Sequence, residues 1–486
     1  MRHDRRLSLQ SEQDLAVGES MSGRSVLVLG AGVAGLATAV LLGRDGHRVT
    51  VVDRDDVPTT DDATTATTWP RSGVPHFHQP HAFIPRGRSE LREHLPDVYH
   101  ALLGAGAWVV DTRAKLGGLA TDADEELQYL AVRRPLIEWA LRRAALACPN
   151  VDVYASTRVD GLVVDGRLVA GARIDGRAVA SDVVVDALGR RTSTSAWLSD
   201  SLATIEPATS SDCGVVYYSR YYQCRPGFQL PDGPWFLSPR GDLGYLGYST
   251  FPGDNGTFAV LFAVPAGVTE WKLLHDVAAF EAAVALVPVL ASWVDLDGVD
   301  AITPVMAMAG LRNSLRPIAR DALLFPVGDA YGHTDPVLAH GLAFGLIHAG
   351  ELARVLREHE NLSEAFDDYA MTTAPALHER YAYATELDEQ RHRMWVGGDV
   401  DFAHHDADYA LFTVMAGGVA AAIDPDLARV CLRRLGLLDS TRVLDEDLSA
   451  RRRIEATFAA ASAVPRPRQG PSREELLEVI ERASNR

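Results

Sequence analysis

Lysine is almost missing from this chain of 486 residues: only Lys115 and Lys272 occur, so nearly all positive charge is Arg. With the Ala and Val richness, that skew reads as genome composition rather than function. Base is also outnumbered by acid, 47 Lys plus Arg against 65 Asp plus Glu, for a net charge of -18. Such a field repels phosphate backbones and anionic lipid surfaces, which excludes nucleic acid as a partner. Cysteine is sparse: Cys148, Cys213, Cys224 and Cys431 lie far apart and form no C-x-x-C pair. That spacing argues against a secretory disulfide framework and fits a reducing cytoplasm. No apolar run approaches the roughly 18 residues a membrane span needs, so no membrane partner is expected. Residues 1–23 begin basic but lack an apolar signal core; they read as a flexible leader, with Met21 an alternative start.

What is present is a strong opening. Residues 25–53, SVLVLGAGVAGLATAVLLGRDGHRVTVVD, read as buried strand, tight turn, Ala/Leu-rich helix ended by Gly46, and second buried strand. Residues 55–75 are rich in Thr, Asp and Pro without apolar period, and read as a long mobile connection. Helical spacing follows over 87–103 and again over 134–147, where Pro135 suits a first turn. Strand-like pieces come at 150–155, 161–164, 168–174 and 182–186. Between 212 and 265 aromatic and β-branched residues alternate between turn signals, the pattern of an antiparallel sheet. A helical stretch (272–293), a strand (322–329) and a long helix to about Arg357 come next, and residues 364–395 and 408–486 are mostly helical, broken by VPRPRQGPSR (464–473). The expected fold is α/β: a Rossmann-like dinucleotide domain over 24–200 and 311–360, an inserted antiparallel-sheet substrate domain over 201–310, and a helical C-terminal region over 361–486.

Gly30-x-Gly32-x-x-Gly35 stands where a dinucleotide fingerprint must, directly after a strand and opening a helix. The first glycine permits the turn, the second admits a pyrophosphate to the backbone, and the third lets helix and strand pack closely. Amides at the helix start, those of Val33 and Ala34 included, then face the phosphates. Asp53 ends the second strand, where a carboxylate accepts from an adenosine ribose. Downstream, Asp329 ends another strand beside Gly328, and Gly341 and Leu342 open a long apolar helix whose positive end suits negative charge.

Three stretches give the chain its family likeness: RRPLIE (133–138), DVVVDALGR (182–190) and LLFPVGDAYGHTDPVLAHGL (323–342). With the opening motif they resemble the FAD-dependent hydroxylases and epoxidases related to p-hydroxybenzoate hydroxylase and squalene epoxidase, over roughly residues 25–395. The resemblance implies one FAD spanning both ends of the chain. It assigns Arg54, Arg134, Val159 and Pro336 to the cofactor alongside the glycines, Asp53, Asp329, Gly341 and Leu342. The chain departs from the family at Ala339 and His340, where Gly and Gln are common, and at Asp335, often Asn. It also departs in DVVVDALGR, where Ala187 and Leu188 separate Asp186 from the glycine.

The segment VPHFHQPHAF (74–83) holds three histidines. In an extended chain His76 and His78 share a face, a chelating spacing, yet no nearby Cys, Asp or Glu completes a set; the family's chemistry needs no metal, and none is expected. The resemblance makes the segment a loop near flavin and substrate, with His81 matching a family histidine. In CGVVYYSRYYQ, Tyr217 and Tyr221 fall on one side and Tyr218 and Tyr222 on the other, so one row can wall a pocket while the other packs.

The activity implied is monooxygenation: reduced FAD and O₂ form a C4a-hydroperoxide that delivers one oxygen to a small apolar or aromatic substrate, by hydroxylation or epoxidation. His81, His340 or a pocket Tyr would serve as base for a phenol. Electrons come from NAD(P)H or from a partner flavin reductase, since no second Gly-x-Gly-x-x-Gly unit occurs. Competing readings are a flavoprotein reductase or dehydrogenase acting on prenyl or lipid-like double bonds, a flavin-dependent halogenase, and a non-enzymatic FAD-holding scaffold. The halogenase reading lacks that family's Trp-x-Trp segment, and neither lysine follows the glycine-rich helix in a suitable setting. The coding bias and the epoxidase-like loop associate the chain with bacterial specialised metabolism.

Overall fold

The computed structural model describes residues 23–201, 206–231, 240–294, 297–464 and 468–485. The expected leader lies, apart from Gly23, outside the described residues, as does part of the Pro/Arg-rich break. The opening unit forms as read: strand Ser25–Leu29, helix Val33–Arg44, strand Arg48–Val52. All three are nearly fully buried, because a parallel sheet is covered on both faces. Five parallel strands line up in the order Leu324–Pro326, Val183–Asp186, Ser25–Leu29, Arg48–Val52, Val151–Tyr154. Their carboxyl ends, at Gly30, Asp53, Ala187 and Gly328, open on one crevice, the place where open α/β sheets bind ligands.

Distant segments of sequence meet here. Helix Gly341–Glu358 lies against Val33–Arg44. A Cβ on Gly328 would come within 3.0 Å of the Ala34 Cβ, and one on Gly345 within 3.2 Å of it, so the small residues set how closely the two helices approach. Helix Arg134–Ala147 has the expected boundaries, with Pro135 in its first turn.

Three readings need correction. Residues 55–75 are not a loose connection: Asp62 caps the short helix Ala63–Thr68 by accepting from the Thr64 amide at 2.9 Å, and Trp69 and Arg71 are buried. The long helix expected at 87–103 is two, Pro85–His94 and Pro96–Gly104, because the residue before a proline is driven out of helical conformation and Leu95 adopts φ -135°, ψ 52°. A strand passed over, Arg177–Ala180, completes a three-stranded antiparallel sheet with Val159–Asp165 and Leu168–Ile174. Asp175 and Gly176 both hold positive φ there, as a two-residue hairpin turn demands.

The inserted sheet is antiparallel, ordered Arg240–Asp242, Gly247–Pro252, Thr257–Pro265, Val215–Cys224, Val299–Ala301. The tyrosine alternation holds in register. Tyr218 and Tyr222 pack with Phe258, Phe262, Trp271 and Phe280 on one face, while Tyr217 looks to the other, among Leu261, Ala263 and the C-terminal helices. Helices Leu362–Trp395, Tyr409–Ala421 and Pro425–Leu435 close that second face. The last helix, Arg473–Ser484, capped by Ser472 and Glu475, returns to pack on Val277–Leu286. Among the described residues no helix is long and apolar enough to cross a membrane.

Candidate active site

One cavity of about 1070 Å³ runs from the glycine turn, past the carboxyl ends of the parallel strands, into the space between the antiparallel sheet and the C-terminal helices. Gly30, Gly32, Val33, Ala34, Asp53, Arg54, Arg134, Val159, Gly328, Asp329, Pro336, Gly341, Leu342, His81 and His340 all line it. Gly35 does not, and its part is packing: a Cβ there would fall 2.0 Å from the Gly30 carbonyl oxygen. Gly30 holds φ +109°, and a Cβ on it would strike the Ala187 carbonyl at 2.4 Å.

The cradle fits a dinucleotide. The first hydrogen bond within helix Val33–Arg44 runs from the Leu36 amide to the Gly32 carbonyl at 2.9 Å, so the amides before it are free to meet phosphate. The second helix repeats this arrangement, its first bond running from Phe344 to His340 at 3.0 Å, which leaves the amides of Gly341 and Leu342 facing the same cavity. Arg134 donates from Nε to Glu138 at 2.8 Å and lies 2.6 Å from His76 Nε2, with its other nitrogen aimed past Gly32. The Arg190 Nε is buried without a hydrogen bond, 3.7 Å from Asp329.

Asp53, expected to accept from a ribose, also braces the turn. Its Oδ2 accepts from the Ala31 amide at 2.7 Å, bracing the glycine turn, and its Oδ1 accepts from the Asp55 amide at 2.8 Å and from Arg71 at 3.1 Å. Arg71, which sequence reasoning missed, also reaches Asp55 at 3.0 Å, Glu138 at 3.0 Å and the Ala31 carbonyl at 3.1 Å. Burial opposes the charge on its guanidinium, yet Glu138, Asp53 and Asp55 hold it protonated. The signal was a lone Arg inside WPRSGVP; nothing local in the sequence says that it turns inward. Asp186, in the departed family motif, is enclosed and accepts from the Leu188 amide and from the Thr192 and Thr194 hydroxyls, shaping the next turn. Arg316 ties that turn to the next one by donating to the carbonyls of Arg190 at 2.8 Å and Asp329 at 2.9 Å.

The histidine segment forms one wall of the cavity. His76 turns inward to Arg134, whereas His78 is exposed with its edge against Phe77, so the two rings do not share a ligand-holding face. His81 Nδ1 lies 2.7 Å from the Gln79 carbonyl, and burial together with Arg134 pushes its pKa down to about 3. His340 is buried with neither ring nitrogen hydrogen-bonded, and burial also pushes its pKa well below the ordinary value. Both therefore face the cavity as neutral imidazoles, poor bases but able to donate or accept one hydrogen bond.

Deeper in, Tyr217 donates to Asp335 at 2.5 Å, and Arg391 donates to Asp335 at 2.5 Å and to Asp388 at 2.9 Å. Asn313 completes the set by donating to Asp388 at 2.8 Å and accepting from the Asp335 amide at 2.7 Å. Arg391 lies 5.0 Å from the Trp395 ring, and Trp395 donates to Asp242 at 2.9 Å. Apolar side chains, among them Phe251, Leu261, Leu387, Val414 and Met415, make up much of the remaining wall. Tyr221, on the same strand face as Tyr217, is buried and does not line the cavity. Lys115, read from the sequence as outside any suitable setting, does line it.

Comparison with known proteins agrees with the geometry. Residues 25–97 match the family model described as FAD dependent oxidoreductase. The chain is 27% identical over 462 residues to protein Rv3254 of Mycobacterium tuberculosis, covering 85% of this chain and 90% of that one. Among solved structures it resembles PqsL, a probable FAD-dependent monooxygenase from Pseudomonas aeruginosa (TM-score 0.55, 16% identity, 77% of this chain and 99% of that one). It also resembles the flavin-dependent brominase Bmp2 (TM-score 0.59, 15% identity, 88% of this chain and 98% of that one). The opening residues are thus similar to the FAD dependent oxidoreductases, and the fold is similar to that of a probable flavin monooxygenase and of a flavin-dependent brominase.

Proposed function

We propose that this protein is an FAD-dependent monooxygenase acting on a small apolar or aromatic substrate. The carrying observation is that the starts of helices Val33–Arg44 and Gly341–Glu358 face one cavity, and that this cavity continues into an apolar chamber. Reduced FAD and O₂ supply the oxygen atom when bound; the chain supplies position, polarity and dryness. Gly30, Gly32 and Arg134 hold the pyrophosphate, Asp53 and Arg54 the adenosine ribose region, and Asp329 the ribitol. The Gly341 and Leu342 amides, with the positive end of their helix, stabilise negative charge on the ring. His81 and His340 offer neutral hydrogen-bonding faces, while Tyr217, held by Asp335, fixes one wall of the substrate chamber. No second dinucleotide cradle occurs among the described residues, so electrons come from NAD(P)H docking transiently or from a partner reductase.

Lys115 in the cavity wall and the brominase fold favour halogenation as the second reading. Turnover of a panel of phenols, aromatic acids and alkenes under isotopically labelled O₂, with bromide and chloride present, separates the two. Mass spectrometry is expected to show one labelled oxygen in the product. A halogenated product, or one carrying two added hydrogens and no oxygen, overturns the proposal.

A further inference from the structure

The chain is strongly acidic, yet part of the cavity wall is positive. Lys115 comes from the turn-rich segment Thr112–Leu119, and Arg240 starts the edge strand of the antiparallel sheet. Both line the cavity, and neither has an ion pair or side-chain hydrogen bond among the described residues. Arg240 keeps accessible surface and Lys115 is half-buried in the cavity wall. Two further cations lie beside them. Arg434, buried, donates to the Tyr383 hydroxyl at 2.9 Å and to the Thr413 carbonyl, and Arg380 donates to the Arg434 carbonyl at 3.0 Å. The Arg434 partners are neutral and leave its charge uncompensated, whereas Arg380 also lies 4.0 Å from the Glu379 carboxylate. Asp242 is the carboxylate at hand, and it faces Trp395 and the Gly244 amide instead of forming an ion pair with Arg240. Burial and Arg240 together push the Lys115 ammonium below its ordinary value, as expected of two like charges sharing an enclosed space with no counter-ion.

Two cations left without an ion pair in one cavity wall stand out in a chain holding 65 acids that could neutralise them. Two unpaired cations in the wall of a cavity that also carries Phe251, Leu261 and Met415 are complementary to a ligand with an apolar body and an anionic end. We propose that Lys115 and Arg240 form an anion-binding subsite that anchors a carboxylate or similar oxyanion on the organic substrate. Its apolar part then extends past Phe251, Leu261 and Met415 toward Tyr217 and the Gly341 helix start. This assignment rests on the monooxygenase reading for the identity of the ligand as substrate, but the anion site itself is testable without turnover.

The probes are anilinonaphthalene sulfonate and its neutral counterpart N-phenylnaphthylamine, titrated calorimetrically into the FAD-loaded protein and into the Lys115→Met/Arg240→Met variant. The sulfonate is expected to bind the unmodified protein about tenfold more tightly than the neutral probe, and that preference is expected to vanish in the variant. Binding of the neutral probe is expected to be unchanged, which also reports that the variant is folded. Equal affinity for both probes, no sulfonate binding, or a preference that survives the double substitution overturns the proposal. A third arm titrates bromide against bound sulfonate: displacement at low bromide that is lost in the variant assigns the site to a free halide and overturns the substrate-anchor reading. Failure of oxygen incorporation with the anion preference intact would instead fault the proposed reaction alone.

Discussion

The Tyr217 hydroxyl sits 2.5 Å from the Asp335 carboxylate, joining the central strand of the antiparallel sheet to the turn that precedes helix Gly341–Glu358. One contact thereby couples the wall of the substrate chamber to the segment read as holding the flavin ring. The charges around it are unequal. Arg391, with the hydrogen bonds it and its neighbours donate, outweighs burial and holds the Asp335 carboxyl below its ordinary value, whereas burial and then the Asp335 charge push Asp388 well above its own.

Asp388 therefore carries a proton at neutral pH, and Asp335 carries the charge. Asp388→Asn is expected to cost under about 1 kcal/mol, because an amide reproduces the protonated acid, whereas Asp335→Asn strips Arg391 of its counter-ion and is expected to cost about 3 kcal/mol or more. An acid with a raised folded pKa stabilises the fold below its unfolded value and loses that contribution as pH rises through the folded one. This group's contribution to stability should accordingly fall as pH rises from about 4 to about 9, and denaturant titrations should show that part of the slope missing in Asp388→Asn.

Arg71 is the hub of the ribose end. Arg71→Met leaves Asp53 and Asp55 facing each other without a cation and Glu138 with Arg134 alone, at a cost of about 3–5 kcal/mol. Urea unfolding measures the loss, and FAD affinity should fall with it because Asp53 braces the glycine turn. Unchanged stability would mean that the guanidinium is not shared among the three acids.

Four histidines, His340 and His348 buried and His76 and His81 half-buried in the cavity wall, set the acid limit. Burial is the first cause lowering His76, His81, His340 and His348, the values for His81 and His348 reaching about 3. Their contribution is fully present above the unfolded pKa of about 6.5 and is lost as pH falls toward the folded values. Each adds about 1.4 kcal/mol per pH unit to the slope. Stability measured from pH 7 to pH 5 should drop steeply, and the slope should lessen by about one proton in His340→Gln.

Ala339 holds φ +56° directly before the second helix, where relatives of the resembled family often carry Gly. An L-residue there is strained by about 1–2 kcal/mol, which glycine relieves at the expense of extra unfolded-state entropy. Ala339→Gly is expected to be neutral or slightly stabilising, and Ala339→Val to lower the melting temperature by several degrees.

Legibility followed the range of the interactions. The glycine turn, both helix starts and the tyrosine alternation were readable because their signals lie within a few residues. Arg134 and Asp329 were readable through family likeness. Arg71, Arg316 and the Tyr217–Asp335–Arg391–Asp388 set were not, since each joins segments that folding alone brings together and no periodicity marks an inward-turned Arg. The same holds for Lys115 and for the helices at 409–435, whose place as chamber walls depends on how the chain returns over the sheet. Where a local rule competed with a pattern, at Leu95 before Pro96, the local rule won.

The most direct test of the account is rapid mixing of anaerobically reduced, FAD-loaded protein with oxygenated buffer, with and without a bound aromatic carboxylate, followed by absorbance. A transient spectrum unlike either reduced or oxidised flavin, prolonged by the ligand, is expected. Single-step return to oxidised flavin under both conditions would contradict it.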